Sequence, residues 1–151
     1  MWIRNKRQEL GLERPHKRML TTGEIEERLR HHKVQPTLQR IAICRYVLCE
    51  ADHPSADQVF EWAQKNLDKI SQATVYNTLG TLTEAGLLRT FKFPHSEKLI
   101  YDCNTEDHFH FFDEKTQKII DIKSDVVQVK IDLPRKFRVH GFDVVLKGEV
   151  K

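Results

Sequence analysis

The sequence predicts an α+β fold in which packed helices and a β-hairpin come first and short strands follow. Three observations carry this reading. Apolar residues recur at helical spacing three times between residues 36 and 88, two strand-like segments flank the polar turn 94–97, and after Cys103 the pattern changes to short strand-like runs. With 39% apolar residues in 151, the chain can bury a substantial core, which argues against disorder.

The elements follow in order. Residues 1–20 hold six basic side chains, two acidic ones and Pro15 with little periodicity, so 1–21 reads as a basic N-terminal arm, mobile, and natural or left over from expression. Thr21 and Glu24 form a capping box that opens a short polar helix through about His32. Pro36 and Thr37 start a second helix, in which Leu38, Ile41, Cys44 and Leu48 mark the expected buried face. The third begins at Ser55, with Gln58 at the reciprocal capping position and Ala56, Val59, Phe60, Ala63 and Leu67 on one stripe. Ser71 caps a fourth, with Val75, Leu79 and Leu82 inward and Gly86 as its stop. Leu87–Phe93 and Lys98–Cys103 then read as a hairpin, and helices followed by a hairpin make a winged helix. Beyond it a small α/β domain is expected, with strands near 108–113, 118–122 and 139–147 and a weak helical segment that Pro134 interrupts.

Charge narrows the choice of partner. Lys plus Arg number 25 against 22 Asp plus Glu, a net of +3 that diagnoses nothing by itself. Residues 1–100 carry 16 basic and 12 acidic side chains, and residues 101–151 carry 9 and 10, so the first two thirds is the better surface for nucleic acid. Cys44, Cys49 and Cys103 are an odd number without CxxC spacing, which argues against a disulfide framework and a cysteine zinc site and fits a reducing compartment. No bilayer-length apolar run and no secretory signal are visible, so a cytoplasmic protein without membrane contact is expected.

In a helix-turn-helix the second helix enters the major groove. Taking the Val75, Leu79 and Leu82 stripe as the core face leaves Thr74, Tyr76, Asn77, Gly80, Thr81 and Glu84 outward. Asn pairs with adenine and Thr can touch a thymine methyl, which suits A·T-rich sequence. This helix carries no Lys or Arg, so phosphate anchoring falls to Arg40, Arg89 and the arm, with Ser71 at the helix start. Gly80 costs about 1 kcal/mol relative to Ala in a helix interior and either permits close backbone approach or weakens binding.

A second constellation comprises His53, Asp102, His108, His110 and Asp121. Alternation along a strand puts His108 and His110 on one face. Imidazoles and carboxylates without thiolate suit Fe(II) or Mn(II) better than structural zinc. The same donor set also describes a small non-haem iron enzyme or a metal-storage protein, although five protein ligands leave little room for substrate.

The stretches QPTLQRIAI at 35–43, DHPSADQVF at 52–60, SQATVYNTLGTLTEAGL at 71–87, DHFH at 107–110 and KIIDI at 118–122 together resemble the ferric uptake regulator family, and within it the peroxide regulator branch. The resemblance covers residues 22–146. It implies a winged-helix DNA-binding domain at 22–103 and an α/β dimerisation domain at 104–151. It also implies that His53, Asp102, His108, His110 and Asp121 ligate one regulatory Fe(II) or Mn(II) per protomer. Iron-responsive relatives commonly carry Glu where Asp121 stands, so Asp121 favours peroxide sensing over the alternative, iron-responsive repression.

Two departures matter. The CxxC pair that holds structural zinc in most relatives is replaced by Asp113 and Thr116, and the second pair has no counterpart before Lys151, so no structural zinc is expected. The extra metal site of iron-responsive members is depleted too, because Asp107 and Phe109 flank His108. The resemblance therefore implies a homodimeric repressor of an A·T-rich palindromic operator on double-stranded DNA. In this branch peroxide reacts with bound Fe(II) and oxidises a ligand imidazole, here His53 or His108, and the damage releases metal and DNA.

Overall fold

The computed structural model describes residues 17–93 and 96–151. Most of the predicted arm, residues 1–16, and the hairpin-turn residues Pro94 and His95 lie outside them. The chain divides into two compact units, one spanning Lys17–Thr105 and one containing Glu106–Lys151.

The first unit is built on α1 (Thr22–His31), α2 (Leu38–Arg45), a π turn (Tyr46–Glu50), α3 (Ala56–Asn66), α4 (Gln72–Glu84) and a hairpin of β1 (Arg89–Lys92) and β2 (Leu99–Asp102). Both predicted capping boxes form: Thr21 with Glu24 on α1 and Ser55 with Gln58 on α3. The Thr21 amide and then the Arg18 guanidinium hold the Glu24 carboxyl below its ordinary value. α1 and α4 end alike. Lys33 (φ +59°) and Gly86 (φ +81°) turn left-handed, and Val34 and Leu87 then donate back to Leu29 O (2.8 Å) and Leu82 O (2.9 Å). These bonds satisfy terminal carbonyls and return Val34 and Leu87 to the core.

That core is formed by fully buried Ile25 and Leu29 of α1, Ile43 and Cys44 of α2, Val59 and Ala63 of α3, and Val75, Leu79 and Leu82 of α4. The Val75, Leu79 and Leu82 stripe is thus inward, with Thr78 buried beside it. One core assignment fails. Leu38 is 87% exposed, and Ile43 and Val47 line the interior with Ile41 and Cys44. Leu38 is the first residue of its helix, where the chain has only just turned from extended Thr37 and has no neighbouring turn to pack against. A second assignment shifts: residues 17–21, read as part of a mobile arm, are tied to this unit through Lys17 and Leu20, while Arg18 and Met19 stay exposed. Leu20 is buried and the Lys17 ammonium donates to Ala51 O.

The second unit is a three-stranded sheet in the order β4 (Lys118–Lys123), β3 (His108–Asp113), β5 (Val145–Gly148). β4 runs antiparallel and β5 parallel to β3. The predicted strand at 139–147 is shorter than expected. Its register pairs His110 with Val145, so residues before 143 would run past the start of β3 at His108 and find no partner. The predicted helical segment is absent as well. After a single 3₁₀ turn at Ser124–Val126, residues 127–144 form no helix or strand. Val127, Val129 and Ile131 are β-branched, Pro134 lacks an amide hydrogen, and Ile131, Leu133 and Phe137 remain exposed, so no buried face would hold a helix here. No helix among the described residues is long and apolar enough to cross a membrane.

Candidate metal centre and nucleic-acid interface

Each unit contributes one set of metal-competent donors. In the first, the π turn closes with Ala51 N–H donating to Tyr46 O at 2.8 Å, and the next residues make a bend that carries His53. His53 has φ +45°, a left-handed conformation uncommon outside glycine and sustained only when neighbours fix it. The fixing is visible. Tyr101 N–H donates to Pro54 O at 2.9 Å, and Ser55 bridges Ile100, so the bend is clamped to β2 immediately before Asp102. The clamp leaves His53 Nε2 3.5 Å from Asp102 Oδ2, with both side chains buried. Asp102 Oδ1 accepts from the Asn104 amide at 2.9 Å, and His53 Nδ1 lies 2.7 Å from Asp52 Oδ1.

In the second unit, β3 places His108 and His110 two residues apart on one face, and the antiparallel register sets Asp121 of β4 opposite His110. The two Nε2 atoms are 3.0 Å apart, and Asp121 Oδ1 lies 3.6 Å from each. His108 Nδ1 is 2.7 Å from Glu106 O. A carbonyl only accepts, so Nδ1 carries the hydrogen and Nε2 is the nitrogen turned towards the other donors. Two ring nitrogens converging beside a carboxylate oxygen, all largely buried, form a donor set suited to a divalent cation of borderline softness.

The predicted ligands are thus grouped as His53 with Asp102 and as His108, His110 and Asp121. Sequence reasoning missed Asp52, although it stands in the same motif as His53 and a carboxylate beside a histidine is a readable signal. Asp113 and Thr116, which the sequence resemblance sets in the place of a zinc-binding CxxC pair, build a turn. Asp113 Oδ1 accepts the amides of Lys115 (3.0 Å) and Thr116 (3.3 Å), closing the β3–β4 hairpin. Burial would raise the Asp113 carboxyl, but hydrogen bonds from Thr116 and Lys115 and the Lys115 charge outweigh it and hold it below its usual value.

On α4 the residues read as outward differ in exposure. Tyr76 is 41% exposed, Asn77 and Glu84 are exposed, and Thr74, Gly80 and Thr81 are half-buried. Ser71 Oγ is occupied as the helix cap, accepting from Thr74 N at 3.1 Å. The Thr81 hydroxyl donates to Asn77 O at 2.9 Å, and the Tyr76 phenol donates to Asp57 of α3, which sequence reasoning did not single out. Arg40 lies at the start of α2, with its guanidinium on Gln35 O at 2.9 Å, and Arg89 is exposed on the hairpin.

The sequence description of the ferric uptake regulator family matches residues 15–146. A peroxide-responsive repressor from Staphylococcus epidermidis is 36% identical over 101 residues, spanning 65% of this chain and 67% of that protein. Among solved structures, the peroxide-sensing regulator of Streptococcus pyogenes is 26% identical, with a TM-score of 0.50 over 91% of this chain and 96% of that one. The Vibrio cholerae ferric uptake regulator shares the fold at 20% identity, with a TM-score of 0.62 over 83% of this chain and 98% of that one.

Proposed function

The chain belongs to the ferric uptake regulator family, and on that premise we propose that it is a homodimeric, metal-dependent transcriptional repressor that senses hydrogen peroxide. The observation that carries the metal reading is the convergence of His108, His110 and Asp121 on the β3–β4 ladder. Together with His53 and Asp102 they make a nitrogen and oxygen set without thiolate, which fits Fe(II) or Mn(II). We read the five as ligands of one ion per protomer, without a structural zinc.

The chain's own residues then have separable tasks. Arg40 and Arg89 anchor phosphate, while Thr74, Tyr76, Asn77 and Thr81, behind the Ser71 cap, read base edges in an A·T-rich palindrome. His53 and Asp102 sit on the unit that carries these groups, and His108, His110 and Asp121 on the other. Sharing one ion would couple the two sets and bias the spacing of the recognition helices in a dimer, so that the loaded form fits a palindrome best. Iron held by these residues would supply electron transfer to peroxide, and in the overall change a ligand imidazole, His53 or His108, would lose two electrons and gain one oxygen at a ring carbon while the other peroxide oxygen leaves as water. Loss of that ligand lowers metal affinity and with it DNA affinity. The role is regulatory and not enzymatic, and the site of action is the cytoplasm, where the operator is.

The test is DNA binding measured by fluorescence anisotropy with Fe(II), Mn(II) or Zn(II), each with and without peroxide, beside elemental analysis. Metal-dependent binding, lost in His108→Ala, is expected. Tight operator binding by metal-free protein would remove the metal-dependent reading, and zinc that survives loss of His108 and His110 would reveal a second metal site.

A further inference from the structure

We propose that Asp52 is a positioning residue that holds His53 in its metal-ready state, an inference that rests on the reading of His53 as a ligand. Three observations converge on this short bend. His53 Nδ1 is 2.7 Å from Asp52 Oδ1, its Nε2 faces Asp102 Oδ2 at 3.5 Å, and its backbone sits at φ +45°. A carboxylate oxygen only accepts, so the bond to Asp52 requires the hydrogen on Nδ1, and in the neutral ring this leaves Nε2 as the donor nitrogen on the Asp102 side.

The alternative tautomer would put the hydrogen on Nε2, where it would have to be removed before a metal could bind. Asp52 selects against that state. It also restrains the ring, because an imidazole held at Nδ1 cannot flip Nε2 away without breaking the bond. The edge of Phe91 supplies a second restraint, its ring centre 6.2 Å from that of His53 and tilted by 75°. The backbone does the rest. The π turn before the bend and the Pro54 and Ser55 contacts with β2 after it fix where the His53 Cα stands, and Asp52 fixes where its ring points. Glu106 O plays the corresponding part for His108 in the other unit, where it too selects the Nδ1–H tautomer. Such outer partners of ligating histidines typically change metal affinity 10- to 100-fold.

The experiment uses full-length protein and the variants Asp52→Ala and Asp52→Asn. Histidine-selective ¹⁵N NMR of the metal-free proteins, followed upward in pH until the ring signals are those of neutral imidazole, reads the tautomer directly. Mn(II) titration reads affinity. Wild type should show His53 with hydrogen on Nδ1. Asp52→Ala should move it towards Nε2 and weaken Mn(II) binding by about 10- to 100-fold, and Asp52→Asn, whose amide oxygen still accepts, should keep the tautomer and most of the affinity. A wild-type His53 with hydrogen on Nε2 would overturn the proposal, as would equal losses in Asp52→Ala and Asp52→Asn, which would mean that charge alone acts. Wild-type protein that binds no Mn(II) would sink the metal reading instead, and the tautomer comparison would still decide what Asp52 does to His53.

Discussion

The Tyr76 phenol on α4 donates its hydrogen bond to the Asp57 carboxylate on α3, so the exposed centre of the proposed recognition face is tied to the neighbouring helix. The same bond, more than burial, raises the phenol's pKa above its ordinary 10.0. Asp57→Ala should release the ring and also remove a negative charge beside the phosphates. Affinity for random duplex should therefore rise while the preference for operator falls, by about 1 kcal/mol, the size of one hydrogen bond. Asp57→Asn, which keeps an acceptor, should raise non-specific binding while preserving the preference. Anisotropy on operator and scrambled duplexes over a salt series separates the two effects.

Asn77 and Arg89 should fail differently when truncated. Asn77 is exposed on α4 and suited to a bidentate contact with adenine, so Asn77→Ala should cost about 1–3 kcal/mol on operator and little on scrambled DNA. Arg89, exposed on β1, is read as a phosphate anchor, so Arg89→Ala should weaken both duplexes alike and reduce the salt slope by about 1. Metal content should stay at the wild-type level in both.

Gly80 offers a decision that the sequence alone leaves open. A Cβ built at this position meets nothing within 4 Å, so Gly80→Ala is sterically free within the protein. It should stabilise α4 by about 1 kcal/mol, seen as a higher unfolding midpoint. If the glycine serves close approach of DNA, operator affinity falls in this more stable variant. Unchanged affinity would show that the glycine has no part in recognition.

The elements that were legible in the sequence are those with local chemistry. The Thr21 and Ser55 capping boxes, the Val75, Leu79 and Leu82 stripe and the Gly86 stop each need only residues a few positions apart. What was lost depends on distant partners. The length of β5 is set by where β3 begins, which no window around residue 139 contains. The π turn at Tyr46–Glu50 follows an ordinary helical pattern, and its one-residue widening has no compositional mark. The donors could be listed from the sequence, and Asp52 beside His53 is a signal that was there to be read, but the acceptor that orients His108 could not be, because a backbone carbonyl such as Glu106 O belongs to every residue type.

Cys44 should make the fold sensitive to alkali. Burial above all, with Cys49 adding to it and Arg28 opposing, pushes its thiol from 9.0 to about 11. The folded state thus prefers the neutral thiol. This contribution is complete below pH 9.0, where the unfolded thiol is also neutral, and disappears as pH rises to about 11. It amounts to on the order of 3 kcal/mol. Urea unfolding of wild type and Cys44→Ala should show a stability difference that shrinks across this window. The Tyr46 and Tyr101 hydroxyls, also raised by burial, are present in both proteins and cancel.

Peroxide should inactivate DNA binding by the Fe(II)-loaded protein and spare the Mn(II)-loaded one, because Fe(II) readily passes one electron to peroxide. The rival target is a thiol. Thiols react with peroxide as thiolates, yet Cys44 and Cys49 are buried, Cys103 is half-buried, and the Cys44 thiol is held neutral well above physiological pH. The imidazoles of His53 and His108 are buried too, but as ligands they would stand beside the metal at which peroxide reacts. Peptide mass spectrometry after peroxide treatment should therefore find one added oxygen on a His53 or His108 peptide. Asp121 supplies a second handle. Its Oδ1 lies 3.6 Å from both His108 and His110, and Asp121→Glu, longer by one methylene, would push that oxygen past its present place. Metal binding should survive in this variant with reduced sensitivity to peroxide. Oxidation confined to Cys44, Cys49 or Cys103, with the response abolished when they are replaced, would make the protein a thiol sensor and end the metal-centred account.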